Sequence, residues 1–253
     1  MLSAKVILEL RDCSFSYMGD DFIEGLNLQI KEGEFIALLG ANGSGKSTLL
    51  KLLSGILRPH EGKAILWGKP IWSLKDKDRA KLISYLPQVL DISVPFKVRE
   101  LVEMGLYPYK SNPPMSLNSS LSMVNLMDKK DSLLKNLSGG ERRRAFIAMT
   151  LLQGAGILLL DEPLQNLDIK YQLELIRLLK ELNSERNITV VMALHDINLA
   201  LRFDKVMLIK EGRLLGMGTP NEVLTEALLK EAFDISLTVK KNGKDAFISY
   251  KEE

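Results

Sequence analysis

Short runs of alternating apolar and polar residues occupy the first 39 positions of the chain. The runs are KVILEL, CSFSY, LNLQI and EFIALL, with the turn-forming segments MGDD and KEGE among them. Alternation with a period of two is typical of β-strands, because successive side chains of a strand point to opposite faces. The pattern therefore predicts a β-rich N-terminal section.

The later part of the chain alternates between strand patterns and helix patterns. Strand-like runs are KAILWG, LISYLP, GILLLDEP, ITVVMALHD and DKVMLIKEG. Helical spacing occurs in STLLKLLSG and IKYQLELIRLLKELN, and the polar run SLKDKDRA is interpreted as one short helix. Such alternation predicts an α/β fold with a mainly parallel core sheet, beside an antiparallel β subdomain. A capping box, Thr219-Pro220-Asn221-Glu222, predicts a helix start. The Asn-Gly pair in LTVKKNGKDAFISY predicts a terminal hairpin.

The segment 89–136 has a different texture from its surroundings. VRELVEMGL and LSMVNLM have helical spacing and flank YPYKSNPPMSLNSS, which is rich in proline and serine. This composition predicts a small helical subdomain inserted into the α/β core. The predicted division of the single domain is a core with its β subdomain over 1–88 and 137–235, the helical subdomain over 89–136, and the hairpin over 236–253.

Composition limits the classes of function. The 253 residues are 46% hydrophobic and 26% charged, as in an ordinary globular protein, and a net charge of +2 gives no overall field for nucleic acid. No apolar run reaches the length of about 18 residues that crosses a bilayer, so we expect no membrane channel. A single cysteine, Cys13, excludes an intramolecular disulfide.

The stretch LLGANGSGKSTLL places three glycines and a lysine between a predicted strand and a predicted helix. One interpretation is a flexible loop. The spacing Gly40, four residues, Gly45, Lys46, Ser47 is instead that of a P-loop, in which backbone amides and a helix N-terminus bind phosphate. Lys46 would bridge the β- and γ-phosphates of a nucleotide, and the Ser47 hydroxyl would ligate Mg²⁺.

Two carboxylates follow the hydrophobic run ILLL. Asp161 and Glu162 stand at the C-terminal end of a predicted parallel strand, where α/β sheets bind ligands. Asp161 is expected to hold the Mg²⁺ shell, and Glu162 to polarise a water for attack on the γ-phosphorus. An acidic strand end that faces solvent is the structural alternative. Together with the P-loop, the pair favours ATP hydrolysis.

A second potential anion site lies in NLSGGERRR. Ser138, Gly139 and Gly140 precede a helical run, and the exposed amides of a helix N-terminus bind anions. The alternative is a capped helix whose three arginines form a solvated face. Arginines without stacking aromatics are a poor nucleic-acid groove, so no nucleic-acid partner is expected.

In the segment Leu137 to Glu141 the sequence resembles the ATP-binding cassette (ABC) ATPases, whose signature LSGGQ has the form LSGGE in this chain. The resemblance implies a P-loop NTPase of the ABC type. It also implies a homodimer packed head to tail, in which the signature of one subunit caps the γ-phosphate held by the P-loop of the other. A P-loop kinase would explain neither Ser138-Gly139-Gly140 nor Glu162.

The resemblance assigns further residues over 5–233. Tyr17 corresponds to the aromatic residue that stacks on adenine, and Gln88 corresponds to the glutamine that touches Mg²⁺ or the attacking water. Asp168 corresponds to the aspartate loop at the dimer interface, and His195 corresponds to the switch histidine that contacts the γ-phosphate. The residues implied for catalysis are Glu162, His195 and Gln88; those for Mg²⁺ are Ser47, Gln88 and Asp161; those for ATP are Tyr17, Gly40, Asn42, Gly43, Ser44, Gly45, Lys46, Ser47, Thr48, Ser138, Gly139, Gly140 and Asp168.

The resemblance is to separate ATPase subunits of importers. VRELVEMGLYPY and the stretch from ALHD to EAF are similar to ATPases that serve iron-siderophore, haem and cobalamin permeases. The partners implied are integral membrane permease subunits and, indirectly, a solute-binding protein, with this chain peripheral at the cytoplasmic face of the cell membrane. A soluble ABC ATPase outside transport, as in iron–sulfur cluster assembly, carries the same motifs and is the alternative.

Overall fold

A computed structural model describes residues 5–17, 19–89, 95–111, 113–242 and 245–250. Its strands are β1 (Val6–Tyr17), β2 (Asp20–Lys31), β3 (Phe35–Leu39), β4 (Glu61–Leu66), β5 (Lys69–Pro70), β6 (Ile83–Leu86), β7 (Ile157–Asp161), β8 (Thr189–Ala193), β9 (Lys205–Lys210), β10 (Arg213–Gly218), β11 (Leu237–Asn242) and β12 (Asp245–Tyr250).

The α-helices are α1 (Lys46–Ser54), α2 (Asp76–Ala80), α3 (Val98–Glu103), α4 (Leu117–Met123), α5 (Gly139–Leu152), α6 (Ile169–Arg186), α7 (Ile197–Ala200), α8 (Pro220–Val223) and α9 (Glu226–Phe233). Short 3₁₀ helices occupy Ile71–Ser73, Met104–Leu106, Met127–Lys129 and Leu134–Asn136. Within the described ranges, no helix combines the length and the apolar content needed to cross a bilayer.

The chain forms two compact units. The first comprises residues 1–71 and 191–253, and the second comprises residues 72–190, so that β8 runs across the boundary. The predicted helical segment 89–136 lies inside the second unit; its assignment as a separate subdomain stays a prediction.

The first unit contains the predicted antiparallel sheet, in the strand order β2-β1-β4-β5. The first two runs of the sequence, KVILEL and CSFSY, form one strand, β1. Its pairing with β2 shifts register between Leu10 and Cys13, and Asp12 there has a positive φ of 48°. A bulge of this kind lets one strand continue through a change in its alternation.

In the first unit, β3 pairs with β9 in parallel, and β10 pairs antiparallel with β9. All five residues of β3 are buried. Continuous burial suits a parallel strand covered on both faces and explains why this run is uniformly apolar. The predicted C-terminal hairpin is also confirmed: β11 pairs with β12, and residues 243–244 between them lie outside the described residues.

The second unit pairs β6 with β7 in parallel and packs α3 and α4 on α5. Gln153 ends α5 and fixes it to β6. Its side-chain amide donates to the carbonyls of Ala80 and Ile83, and its Oε1 accepts from the Ser84 hydroxyl at 2.8 Å. This anchoring holds the C-terminal end of α5 at the start of β6.

Candidate functional site

The phosphate loop joins β3 to α1 in a conformation that requires its glycines. A Cβ on Gly40 would collide with the Ile209 carbonyl and the Ser44 hydroxyl, and Gly45 has a φ of 106°, which side chains rarely adopt. Gly55 ends α1 in the left-handed conformation, with a φ of 74°. The glycines therefore keep the turn tight at the N-terminus of α1.

Polar groups converge on this turn. Lys46 is buried, and its Nζ donates to the carbonyls of Gly40 at 2.8 Å and Ala41 at 3.2 Å. The Ser44 hydroxyl is also buried and has no hydrogen-bond partner among the described residues. Since the first amides of any α-helix lack intrahelical acceptors, an ammonium group and an unpaired hydroxyl beside them suit a phosphate group.

Tyr17 stands beside the start of α1. Its hydroxyl lies 3.2 Å from Thr48 Oγ1, and its ring contacts Phe15 and Phe22 edge-on at centroid distances of 4.8 and 5.9 Å. The side chain is 46% exposed. Nearly half of the side chain is therefore accessible to solvent, and its role in stacking on adenine stays a prediction.

In the second unit, Asp161 and Glu162 are both buried at the end of β7. The Tyr85 hydroxyl donates to Asp161 Oδ2 at 3.3 Å. Gln88 Nε2 donates to Glu162 Oε2 at 2.7 Å, so the structure brings together two of the predicted catalytic side chains, which are 74 positions apart. The alternative of a solvent-facing acidic strand end is thereby excluded.

Ser138 caps α5 through a capping box. Its Oγ accepts from the Glu141 amide at 3.2 Å, and the Glu141 carboxylate accepts from the Ser138 amide at 2.9 Å. The latter bond, with Lys129 nearby, lowers the pKa of Glu141. Ser138 and Gly139 are exposed, as the predicted anion-binding helix end requires.

The remaining predicted residues stand at the starts of other elements. Asp168 is the N-cap residue of α6 and is exposed. His195 is an exposed residue two positions after β8, and its neighbour Asp196 caps α7 by accepting from the Asn198 amide. Asn42 and Gly43 are exposed in the phosphate loop, and Ser47 is half-buried.

The interpretation of three arginines as one solvated face is wrong. Arg142 is exposed, but Arg143 is only 6% exposed and Arg144 is half-buried. The Arg144 guanidinium lies 4.3 Å from the Tyr171 ring and donates to the Val124 carbonyl. Consecutive helix residues point about 100° apart, so three arginines in a row cannot share one face. The sequence therefore already contained a sign that this interpretation fails.

Comparisons with known proteins agree with the resemblance. The sequence model described as ABC transporter matches residues 23–165. The petrobactin import ATP-binding protein FpuC of Bacillus anthracis is 41% identical over 237 residues, covering 90% of this chain and 87% of that protein. The hemin import ATP-binding protein HmuV of Rhodopseudomonas palustris (strain BisB18) is 39% identical, covering 92% and 90%. A solved structure of an inward-facing, metal-chelate type ABC transporter aligns with a TM-score of 0.79 and 27% identity, over 97% of this chain and 96% of that one.

Proposed function

Because the chain belongs to the ABC transporter family, whose ATP-binding subunits hydrolyse ATP, we propose that it powers an importer for iron-siderophore or haem through a separate membrane permease. The observation that carries the chemistry is the buried pair of Gln88 and Glu162, joined at 2.7 Å after two parallel strands. A glutamine amide and a carboxylate that lie side by side can both hydrogen-bond the same water, and the carboxylate can remove its proton.

The phosphate loop binds ATP in this proposal. Lys46 shifts part of its hydrogen bonding from its own loop carbonyls to the β- and γ-phosphates, and the unpaired Ser44 hydroxyl donates to a phosphate oxygen. The Ser47 hydroxyl, Gln88 and Asp161 are oxygen donors of the kind that Mg²⁺ prefers, and this ion would supply charge neutralisation for the phosphates. Tyr17 stacks on adenine.

Hydrolysis is assigned to side chains near the γ-phosphate. Glu162 takes the proton of the attacking water, and Gln88 orients that water. The exposed His195 contacts the γ-phosphate and stabilises its charge. The products are ADP and phosphate.

Two copies of the chain act together in the proposed enzyme. Ser138, Gly139 and Gly140 begin α5, and the amides of a first helical turn attract anions. A capped helix end that is exposed to solvent can reach the γ-phosphate held by a second copy, which gives a head-to-tail homodimer. Asp168, exposed at the start of α6, lies at that interface in the proposal.

The proposed partners follow from the relatives, which are import subunits for a siderophore and for hemin. We assign the chain to the cytoplasmic face of the cell membrane, bound to permease subunits and indirectly linked to a solute-binding protein. Within the predicted helical subdomain, Tyr107 is 66% exposed and Met104 is 42% exposed. Exposed large apolar side chains mark protein contacts when they cluster, so we assign this surface to the permease.

The test is purification of the tagged chain from detergent-solubilised native membranes, followed by mass spectrometry of the proteins that stay bound. We expect a multi-helix permease. Recovery of soluble partners only would overturn the importer and favour an ABC ATPase outside transport.

A pair of matched variants localises the contact. Tyr107→Glu places a charge on the assigned surface and should lose the permease, whereas Ile235→Glu, at a 42% exposed position of the first unit, should retain it. Both should bind ATP like the unmodified chain. Equal recovery of permease with the two variants would remove Tyr107 from the contact.

A further inference from the structure

Every N–H group of the Arg143 guanidinium donates a hydrogen bond to a main-chain carbonyl in one of two loops. A guanidinium has five N–H groups in a fixed plane, and here all five have acceptors. Nη1 donates to Gln88 at 2.9 Å and Pro87 at 3.3 Å, Nη2 to Glu162 at 2.5 Å and Asp161 at 2.8 Å, and Nε to Pro163 at 3.2 Å. One planar group thus links the loop after β6 with the loop after β7.

The two loops carry the side chains that act on water in the proposed reaction. Their separation decides whether Gln88 Nε2 and Glu162 Oε2 stay at 2.7 Å. Glu162 also has a φ of 51°, a left-handed conformation that is unfavourable for a residue other than glycine. Hydrogen bonds from Arg143 to the Asp161 and Glu162 carbonyls stabilise this turn of the main chain.

Arg143 belongs to the same helix as the proposed signature. Ser138 caps α5, and Arg143 follows five positions later, about 7.5 Å along the helix axis. No flexible joint separates the two, because both lie within the first turns of one helix. A displacement of the helix end therefore moves the guanidinium, and with it the carbonyls of both loops.

We propose that Arg143 is a positioning residue for ATP hydrolysis, which fixes the Gln88 loop against the Glu162 loop and couples both to the helix end at Ser138. The inference rests on the proposed hydrolysis and goes beyond it, since Arg143 acts through the main-chain carbonyls that it binds. In a head-to-tail dimer, a phosphate contact at Ser138 would thereby adjust the catalytic loops of the same chain.

The charge of Arg143 is maintained in its buried position. Burial lowers the pKa of the guanidinium to about 10, although Asp161 and Glu162 act in the opposite direction. The group is thus protonated at neutral pH and keeps all of its donors. A lysine has three donors on a flexible stem and can satisfy at most three of the five carbonyls.

The experiment compares Arg143→Lys and Arg143→Gln with Arg142→Gln, whose arginine is exposed on the same helix. We expect kcat to fall about 100-fold in Arg143→Gln and less in Arg143→Lys, with KM for ATP and equilibrium ATP binding nearly unchanged, because only the alignment of the water-activating pair is lost. Arg142→Gln should behave like the unmodified chain. Full activity of Arg143→Gln would overturn the proposal.

A double-mutant cycle separates positioning from a general loss of structure. If Arg143 acts through the Gln88 loop, Arg143→Lys should lower kcat much less in a Gln88→Ala background than in the unmodified chain. Equal losses in the two backgrounds would mean that Arg143 supports the fold only.

Hydrogen exchange tests the positioning role of Arg143 without depending on ATP turnover. Hydrogen exchange of the amides around 86–89 and 160–166 should accelerate at least about tenfold in Arg143→Lys and stay unchanged in Arg142→Gln. Unchanged exchange in Arg143→Lys would overturn the positioning role. Absence of ATP hydrolysis by the unmodified chain bound to its partners would instead contradict the proposed reaction.

Discussion

At the scale of single residues, a hydrogen bond holds the buried carboxylate that follows β7. Glu162 is 5% exposed and has the amide of Gln88 as a partner for one carboxylate oxygen. A buried carboxylate without polar partners would be costly, so this bond contributes to keeping the group in place. The same bond shows that the glutamine side chain reaches the carboxylate that is the base in the proposed reaction.

Glu162→Gln should abolish most turnover. The amide has the shape of the carboxylate but cannot accept a proton from water, so we expect kcat to fall by about 100-fold to 10,000-fold while ATP binding persists. Steady-state hydrolysis and equilibrium nucleotide binding measure the two quantities. Glu174→Gln, at a half-buried position of α6, is the control and should keep normal activity. Unimpaired hydrolysis by Glu162→Gln would show that another group is the base.

At the scale of elements, the position of α5 depends on close approach by a neighbouring short helix. Gly105 lies in the 3₁₀ helix Met104–Leu106, and a Cβ at this position would collide with the Met149 carbonyl of α5. The segment VRELVEMGL has the apolar spacing of a helix, and α3 with this 3₁₀ helix realises the prediction. The glycine is needed because backbone meets backbone there.

Gly105→Ala should therefore destabilise the second unit. The added methyl group forces α5 and the 3₁₀ helix apart, and we expect the free energy of unfolding to fall by about 1–3 kcal/mol in urea titrations. Gly156→Ala is the matched control, since a Cβ there would meet no atom within 4 Å. A destabilisation of equal size in both variants would mean that the close approach to Met149 is not the cause.

At the scale of the whole molecule, the proposed activity requires two chains. Ser138→Arg places a long cation at the exposed N-terminus of α5, where the proposed dimer needs a small hydroxyl against phosphate. The measurement is sedimentation in the presence of ATP. The Glu162→Gln variant should sediment as a dimer, and the double variant Glu162→Gln, Ser138→Arg should sediment as a monomer. ATP binding by the monomer should persist, because Lys46 and its loop are unchanged.

The control for this variant must lose a helix cap without touching the proposed interface. Thr225 caps α9 as Ser138 caps α5, so Thr225→Arg loses a comparable capping bond, worth about 1 kcal/mol. It should still form the ATP-dependent dimer. Dimer formation by Ser138→Arg would contradict the head-to-tail arrangement.

Features encoded by neighbouring residues were predictable from the sequence. The spacing from Gly40 to Ser47 gave the strand-to-helix turn, and Thr219-Pro220-Asn221-Glu222 gave the start of α8 with its capping box. The alternating runs gave the antiparallel strands, and the two runs that form β1 were separated only by a register shift. These features depend on hydrogen bonds and side-chain periodicity among residues that are close in sequence. They can therefore be predicted from the order of the residues.

The tertiary structure alone decided which distant groups meet. Gln88 and Glu162 are 74 positions apart, and Arg143 is 55 positions from the Gln88 carbonyl that it binds. The spacing of ERRR indicated that the three arginines cannot share one face, but it did not indicate which of them is buried, because all are equally polar and all suit a helix. Their difference arises from the direction in which α5 faces β6 and β7. That direction is set by packing and by the bonds of Gln153, so the sequence by itself determined the motifs, and only the folded chain determined the contacts among them.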